Sequence, residues 1–146
     1  MPDYSLVDTT VLAHLTKASP HSEAYNRILG DDRIAISFQT QAELSSGGYK
    51  GARKQRLDDL LAATLKLPQS EATNIWYGRV IQKRKELRTL RKNGADAGDA
   101  DVWIISSALE HGLRLLSHDR QQVGLARAMA VPTFTDLVDL RDGNTN

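Results

Sequence analysis

Apolar positions along this chain switch repeatedly between short unbroken runs and three- or four-residue steps, the two spacings that mark strands and helices. Tyr4 to Val7 (YSLV) predicts a strand, and Val11, Leu12 and Leu15 predict a helix capped by Asp8 or Thr9. Ser19-Pro20 opens a second helix through Ala24, Tyr25, Ile28 and Leu29 to Gly30. Arg33 to Ser37 (RIAIS) reads as a second strand. Phe38 to Leu44 then starts a helix that places Glu43 about one and a half turns in. Ala52 to Leu65 repeats leucine at 57, 60, 61 and 65, an amphipathic helix, and Leu65-Lys66-Leu67 predicts at most a brief third strand before Pro68.

The second half continues the alternation. A long helix runs from Ser70 through Ile75, Trp76, Val80, Leu87 and Leu90 towards Gly94; Trp76 and Tyr77 read as core or interface residues rather than platforms for stacking bases. Asn93 to Gly98 (NGADAG) is the clearest loop. After Asp99 and Asp101, the run Val102 to Ile105 continues as a helix to His111, which Gly112 can stop in the left-handed conformation. Leu113, Leu115 and Leu116 read as a short buried strand with Asp119 just past its end. Gln121 to Met129 suits a helix, Val131 to Phe134 a last edge strand because Pro132 offers no N–H, and Thr135 to Leu140 a terminal turn. Arg141 to Asn146 reads as a frayed, flexible tail.

This order predicts an α/β fold: a single domain over residues 1–146, with its core at about 4–134. Its mostly parallel central sheet of four to five strands would carry helices on both faces. Ligands of such sheets bind beyond the carboxyl ends of the strands. Asp8, Glu43, Asp101 and Asp119 meet that positional test, with Asp99 close by. Taken alone, Asp8 reads first as a helix cap and Glu43 as an exposed helical acid. Gathered together, carboxylates repel unless protonated or bound to a cation, and their hard oxygens suit Mg²⁺ or Mn²⁺. A phosphodiester brought to such a cation would be partly neutralised, beside a water made into a usable nucleophile.

Charge sharpens the picture. Net charge is only +1, yet Lys50 to Lys92 holds twelve Lys/Arg against four Asp/Glu, while the rest of the chain holds seven against fourteen. A basic middle between acidic ends fits contact with nucleic acid, the other reading being a solvated helix face. Lys50, Arg53, Lys83, Arg84, Arg88 and Arg91 are the candidates for holding nucleic acid. There is no cysteine, no apolar stretch long enough to cross a bilayer, and no basic-then-apolar start, so the expected location is the cytoplasm, away from membranes.

At these residues the chain resembles the PIN-domain ribonucleases, and within them the VapC toxins of bacterial toxin–antitoxin pairs. Leu6-Val7-Asp8-Thr9-Thr10-Val11-Leu12 is similar to the opening strand and first acid of the family, and Ala42-Glu43-Leu44 followed by Gly47 to its second motif. Asp101-Val102-Trp103-Ile104-Ile105-Ser106-Ser107-Ala108-Leu109-Glu110-His111-Gly112 resembles the third motif, and Leu115-Leu116-Ser117-His118-Asp119 the fourth. Thr10 stands where the family often has Asn, and Ser106-Ser107 where it often has Ala-Ala. The resemblance implies a Mg²⁺- or Mn²⁺-dependent endoribonuclease that leaves a 5′-phosphate. Asp8, Glu43, Asp101 and Asp119 would be its catalytic and metal-binding acids, and Asp99 a further candidate ligand. Thr9, Thr10 and Ser117 would orient ligands or metal waters through their hydroxyls. A homodimer and a cognate VapB-like antitoxin would be its protein partners.

Other readings fit less well. A receiver domain needs an acidic pair beside the first strand, and an aspartyl phosphatase a second acid two residues on, where Thr10 stands. His14, His21, His111 and His118 have no nucleophile motif beside them. In a locally extended chain His118 would point away from Asp119. A noncatalytic RNA- or protein-binding module and a PIN nuclease of RNA maturation remain the alternatives.

Overall fold

The computed structural model describes residues 3–143. Five strands, β1 (Tyr4–Val7), β2 (Arg33–Ser37), β3 (Leu65–Leu67), β4 (Arg114–Leu116) and β5 (Thr133–Phe134), form one sheet in the order β3-β2-β1-β4-β5. Every pairing is parallel, as predicted. The helices are α1 (Thr9–Leu15), α2 (Pro20–Leu29), α3 (Phe38–Ser45), α4 (Gly51–Ala62), α5 (Glu71–Leu90), α6 (Asp99–His111) and α7 (Arg120–Ala128), and a 3-10 helix covers Val138–Gly143.

Alternating side chains of each strand serve opposite faces, and two cores result. Leu6, Ala35 and Leu115 pack with Val80, Leu87, Val102, Ile105 and Leu125 beneath α5, α6 and α7. Val7, Ile36 and Leu116 pack with Val11, Leu12, Tyr25 and Leu29 beneath α1 and α2. Among the described residues no helix is long and apolar enough to cross a membrane.

Three boundaries differ from expectation. Helix α4 stops at Ala62, where the Thr64 hydroxyl donates to Leu60 O, so Leu65 belongs to β3 alone. Its leucine spacing fits either element, and pairing with β2 decides in favour of the strand. Helix α6 begins at Asp99, ahead of the apolar run, and ends at Gly112, whose φ of 63° is the left-handed stop expected there. Arg141 is tied to Asp136 at 2.6 Å rather than frayed; residues 144–146 of the expected tail lie outside the described residues.

The NGADAG loop packs against α7. A side chain on Gly94, whose φ is +103°, would meet the Leu125 backbone at 2.5 Å, so only glycine fits that approach. The Gln121 amide oxygen accepts from Gly94 N and Asp96 N. This fixes the entry to α6, and with it Asp101.

Candidate active site

Strands β1, β2 and β4 run parallel, so Asp8, the start of α3 and Ser117 all emerge at one edge of the sheet. The N-terminus of α6 faces the same edge because that helix runs back against the strands. Both readings of Asp8 hold at once. It caps α1, accepting from Val11 N at 2.9 Å, and is also 2% exposed and held by the Thr10 and Ser117 hydroxyls. Burial, aided by the charge of Asp119, pushes its carboxyl up to about 7, although three hydrogen bonds oppose the shift.

Asp101 lies in the first turn of α6. Its Oδ2 accepts from Gly98 N and its Oδ1 from the side-chain amide of Gln122, each at 3.0 Å. Burial and the nearby charges of Asp119 and Glu43 raise it to about 6. Asp119 caps α7 through Oδ1, which accepts from Gln121 N and Gln122 N. The charge of Asp119 therefore reaches both Asp8 and Asp101, and that of Glu43, one and a half turns into α3, reaches Asp101. Four acids from different segments share one field.

The hydroxyls divide. Thr10 donates to Asp8 and accepts from His118 N, and Ser117 donates to Asp8 while accepting from Asp119 N. Thr9 does not join them: its hydroxyl is buried without a hydrogen bond. Asp99 is 72% exposed and paired with Arg84 at 3.0 Å, so its carboxylate is committed elsewhere.

Chemically, these acids suit a hard divalent cation. They offer carboxylate oxygens whose burial raises the cost of their charge, a deficit that a cation offsets. Among the described residues no three His, Cys, Asp or Glu side chains form a ready-made metal cage. Mg²⁺ does not require one: it binds through one or two carboxylates and keeps several waters.

The basic candidates need correction at one position. Arg84 does not face solvent; it is 8% exposed and donates to Ala97 O and Asp99. Its neighbour Arg88 is exposed but donates to Ala95 O, so both brace the NGADAG loop against α5. Arg53 donates to Thr16 and Ala13 O and lies over the Tyr49 ring. Lys83 pairs with Glu86, while Lys50 and Arg91 are exposed.

Two features escaped sequence reasoning. Gln122 is a buried amide on the otherwise apolar inner side of α7, and that misplaced polarity was its only signal. His118 turns to the far side, as expected, and there joins His14 and His21 in a triangle of rings 4.5 to 4.8 Å apart, with Nδ1 on the Tyr25 hydroxyl.

A five-stranded parallel sheet with acids at its carboxyl edge places them where such folds bind their ligands. The PIN domain model matches residues 5–128, and the chain belongs to that family. Among its curated relatives is Ribonuclease VapC1 of Haemophilus influenzae strain R2866, 30% identical over 119 residues that span 78% of this chain and 85% of the relative. Among solved structures, the fold is shared with VapBC2 from Rickettsia felis bound to a promoter DNA fragment (TM-score 0.68, 20% identity, 90% of this chain and 98% of that one). It is shared also with FitAcB from Neisseria gonorrhoeae (TM-score 0.64, 24% identity, 88% and 95%).

Proposed function

We propose that this protein is a Mg²⁺- or Mn²⁺-dependent endoribonuclease, the toxin of a toxin–antitoxin pair. The observation that carries the reading is the acidic edge itself: Asp8 is buried and Asp101 half-buried, both are pushed upward in pKa, and both lie within the field of Asp119. Both are held by neutral donors rather than by a lysine or arginine. The relatives support the assignment, since those at about 30% identity are named ribonucleases and one structural neighbour is a toxin–antitoxin complex from Klebsiella pneumoniae.

Each residue then has a task. Thr10 and Ser117 hold Asp8, Gly98 N holds Asp101, and the first turn of α7 holds Asp119, so three carboxyl groups keep fixed directions without a cationic side chain to neutralise them. Glu43 adds a fourth negative charge from α3. A bound divalent cation supplies charge neutralisation for the phosphodiester and an acidified water for its hydrolysis. Lys50 and Arg91, and Lys83 once released from Glu86, hold the rest of the RNA by its phosphates. A VapB-like antitoxin silences the enzyme, and a second copy of the chain completes a homodimer.

Incubation with total cellular RNA, in Mg²⁺ or in EDTA, tests the function. New 5′-phosphate ends should appear in Mg²⁺ alone; identical RNA in both would refute it. Growth arrest on expression, relieved by an antitoxin encoded beside the protein, separates a toxin from a nuclease of RNA maturation.

A further inference from the structure

We propose that Gln122 is a positioning residue of this site, holding Asp101 towards the cation through its side-chain amide. The inference rests on the metal-dependent reading above and names a residue that neither the motifs nor the chemistry of carboxylates would select.

Gln122 is 1% exposed and sits in the first turn of α7. Its Nε2 donates to Asp101 Oδ1 at 3.0 Å, while Gly98 N donates to Oδ2 at the same distance. Two donors from two elements thus grip both oxygens, and the carboxylate cannot rotate without losing one of them. The orientation of the amide follows from its partner, because an ionised carboxylate only accepts. A lysine or arginine in this place would hold Asp101 more strongly but would also neutralise it and repel a cation. An amide fixes direction and leaves the charge available.

The same turn governs a second acid. Gln122 N donates to Asp119 Oδ1, so the backbone of this residue orients Asp119 and its side chain orients Asp101. The remaining atom is unexplained by folding: Gln122 Oε1 is buried without a partner. A buried unpaired acceptor destabilises the fold, and methionine or leucine would occupy similar space without it. That a glutamine stands here despite this cost fits a task for the other end of its amide, the hold of Nε2 on Asp101.

Calorimetric titration with Mn²⁺ at fixed pH tests the proposal without relying on catalysis. Gln122→Met should bind Mn²⁺ about tenfold more weakly than wild type, the usual loss when the support of a ligand is removed. Its melting temperature without metal should be unchanged or higher, whereas a glutamine needed only for packing would lower it and leave Mn²⁺ affinity intact. In an Asp101→Asn background the same substitution should cause no further loss, because it acts through Asp101. Gln122→Asn, which withdraws the amide by one methylene, should show the same weakening if the methionine variant does not fold. Wild-type affinity in either variant, or a loss that adds fully to that of Asp101→Asn, overturns the role of Gln122. If the wild type binds Mn²⁺ and cleaves RNA in that case, the proposed function stands; a wild type that binds no Mn²⁺ ends both.

Discussion

Strands β1 and β4 carry polar clusters at both ends, and the two are built on opposite principles. At the amino edge, Arg114 donates to Ser5 at 2.6 Å and to Ile28 O at 2.7 Å, and pairs with Asp32 at 3.0 Å, so an opposite charge and a carbonyl answer the guanidinium. One strand length away, at the carboxyl edge, Asp8 is held by the neutral hydroxyls of Thr10 and Ser117 and lies in the field of Asp119. The amino edge is arranged to hold the fold together. The carboxyl edge gathers acids whose mutual repulsion destabilises the protein, a cost that the divalent cation of the proposed function would offset.

The largest effect should come from removing charge at the carboxyl edge. Asp101→Asn, or Asp8→Asn, should lower RNA cleavage in Mg²⁺ by at least about a hundredfold, the scale of several kcal/mol of lost charge stabilisation. Cleavage assays on Asp32→Asn should show the wild-type rate, since that acid serves the other edge. Stability should respond in the reverse sense. Breaking the Arg114 network with Arg114→Ala should cost about 2 kcal/mol, less than a fully buried pair because both partners are about a quarter exposed, and lower the melting temperature by about 5 °C. Asp8→Asn should not lower it at pH 8.

Acid–base titration sharpens the contrast further. The folded protein holds protons on Asp8 up to about pH 7 and on Asp101 up to about pH 6, while the unfolded chain releases them near pH 4. Between those limits the folded state binds more protons, so metal-free stability falls as pH rises from about 4 to about 7 and levels off above. Thermal melts across this range should show that decline, and Asp8→Asn should flatten most of it. The smallest effect belongs to the basic surface. Neutralising Lys50 or Arg91 should reduce the salt slope of RNA binding by about 1 each, measured by filter binding or anisotropy on a cleavage-deficient variant.

Much of this was legible in the chain before folding. Asp8, Asp101 and Asp119 stand beside strand and helix boundaries that hydrophobic spacing marks, so the sheet edge they share follows from parallel topology. Local pattern has less to say about Arg84. A helix rich in Lys and Arg reads as an outer face, and only the return of the NGADAG loop over α5 buries that guanidinium against Ala97 O. Thr9 and Thr10 are likewise indistinguishable as neighbours; the turn into α1 aims one hydroxyl at Asp8 and leaves the other without a partner. Gln122 depends on contact between α6 and α7 across 21 residues, which no single helix pattern contains.

Under the proposed function the carboxyl-edge acids hold a divalent cation together. Mn²⁺ titration of wild type, Asp101→Asn and Asp32→Asn at about pH 7.5, above the raised carboxyl pKa values, is the decisive experiment. Wild type and Asp32→Asn should bind and Asp101→Asn should lose most of its affinity; equal binding by all three, or none by the wild type, would rule that role out.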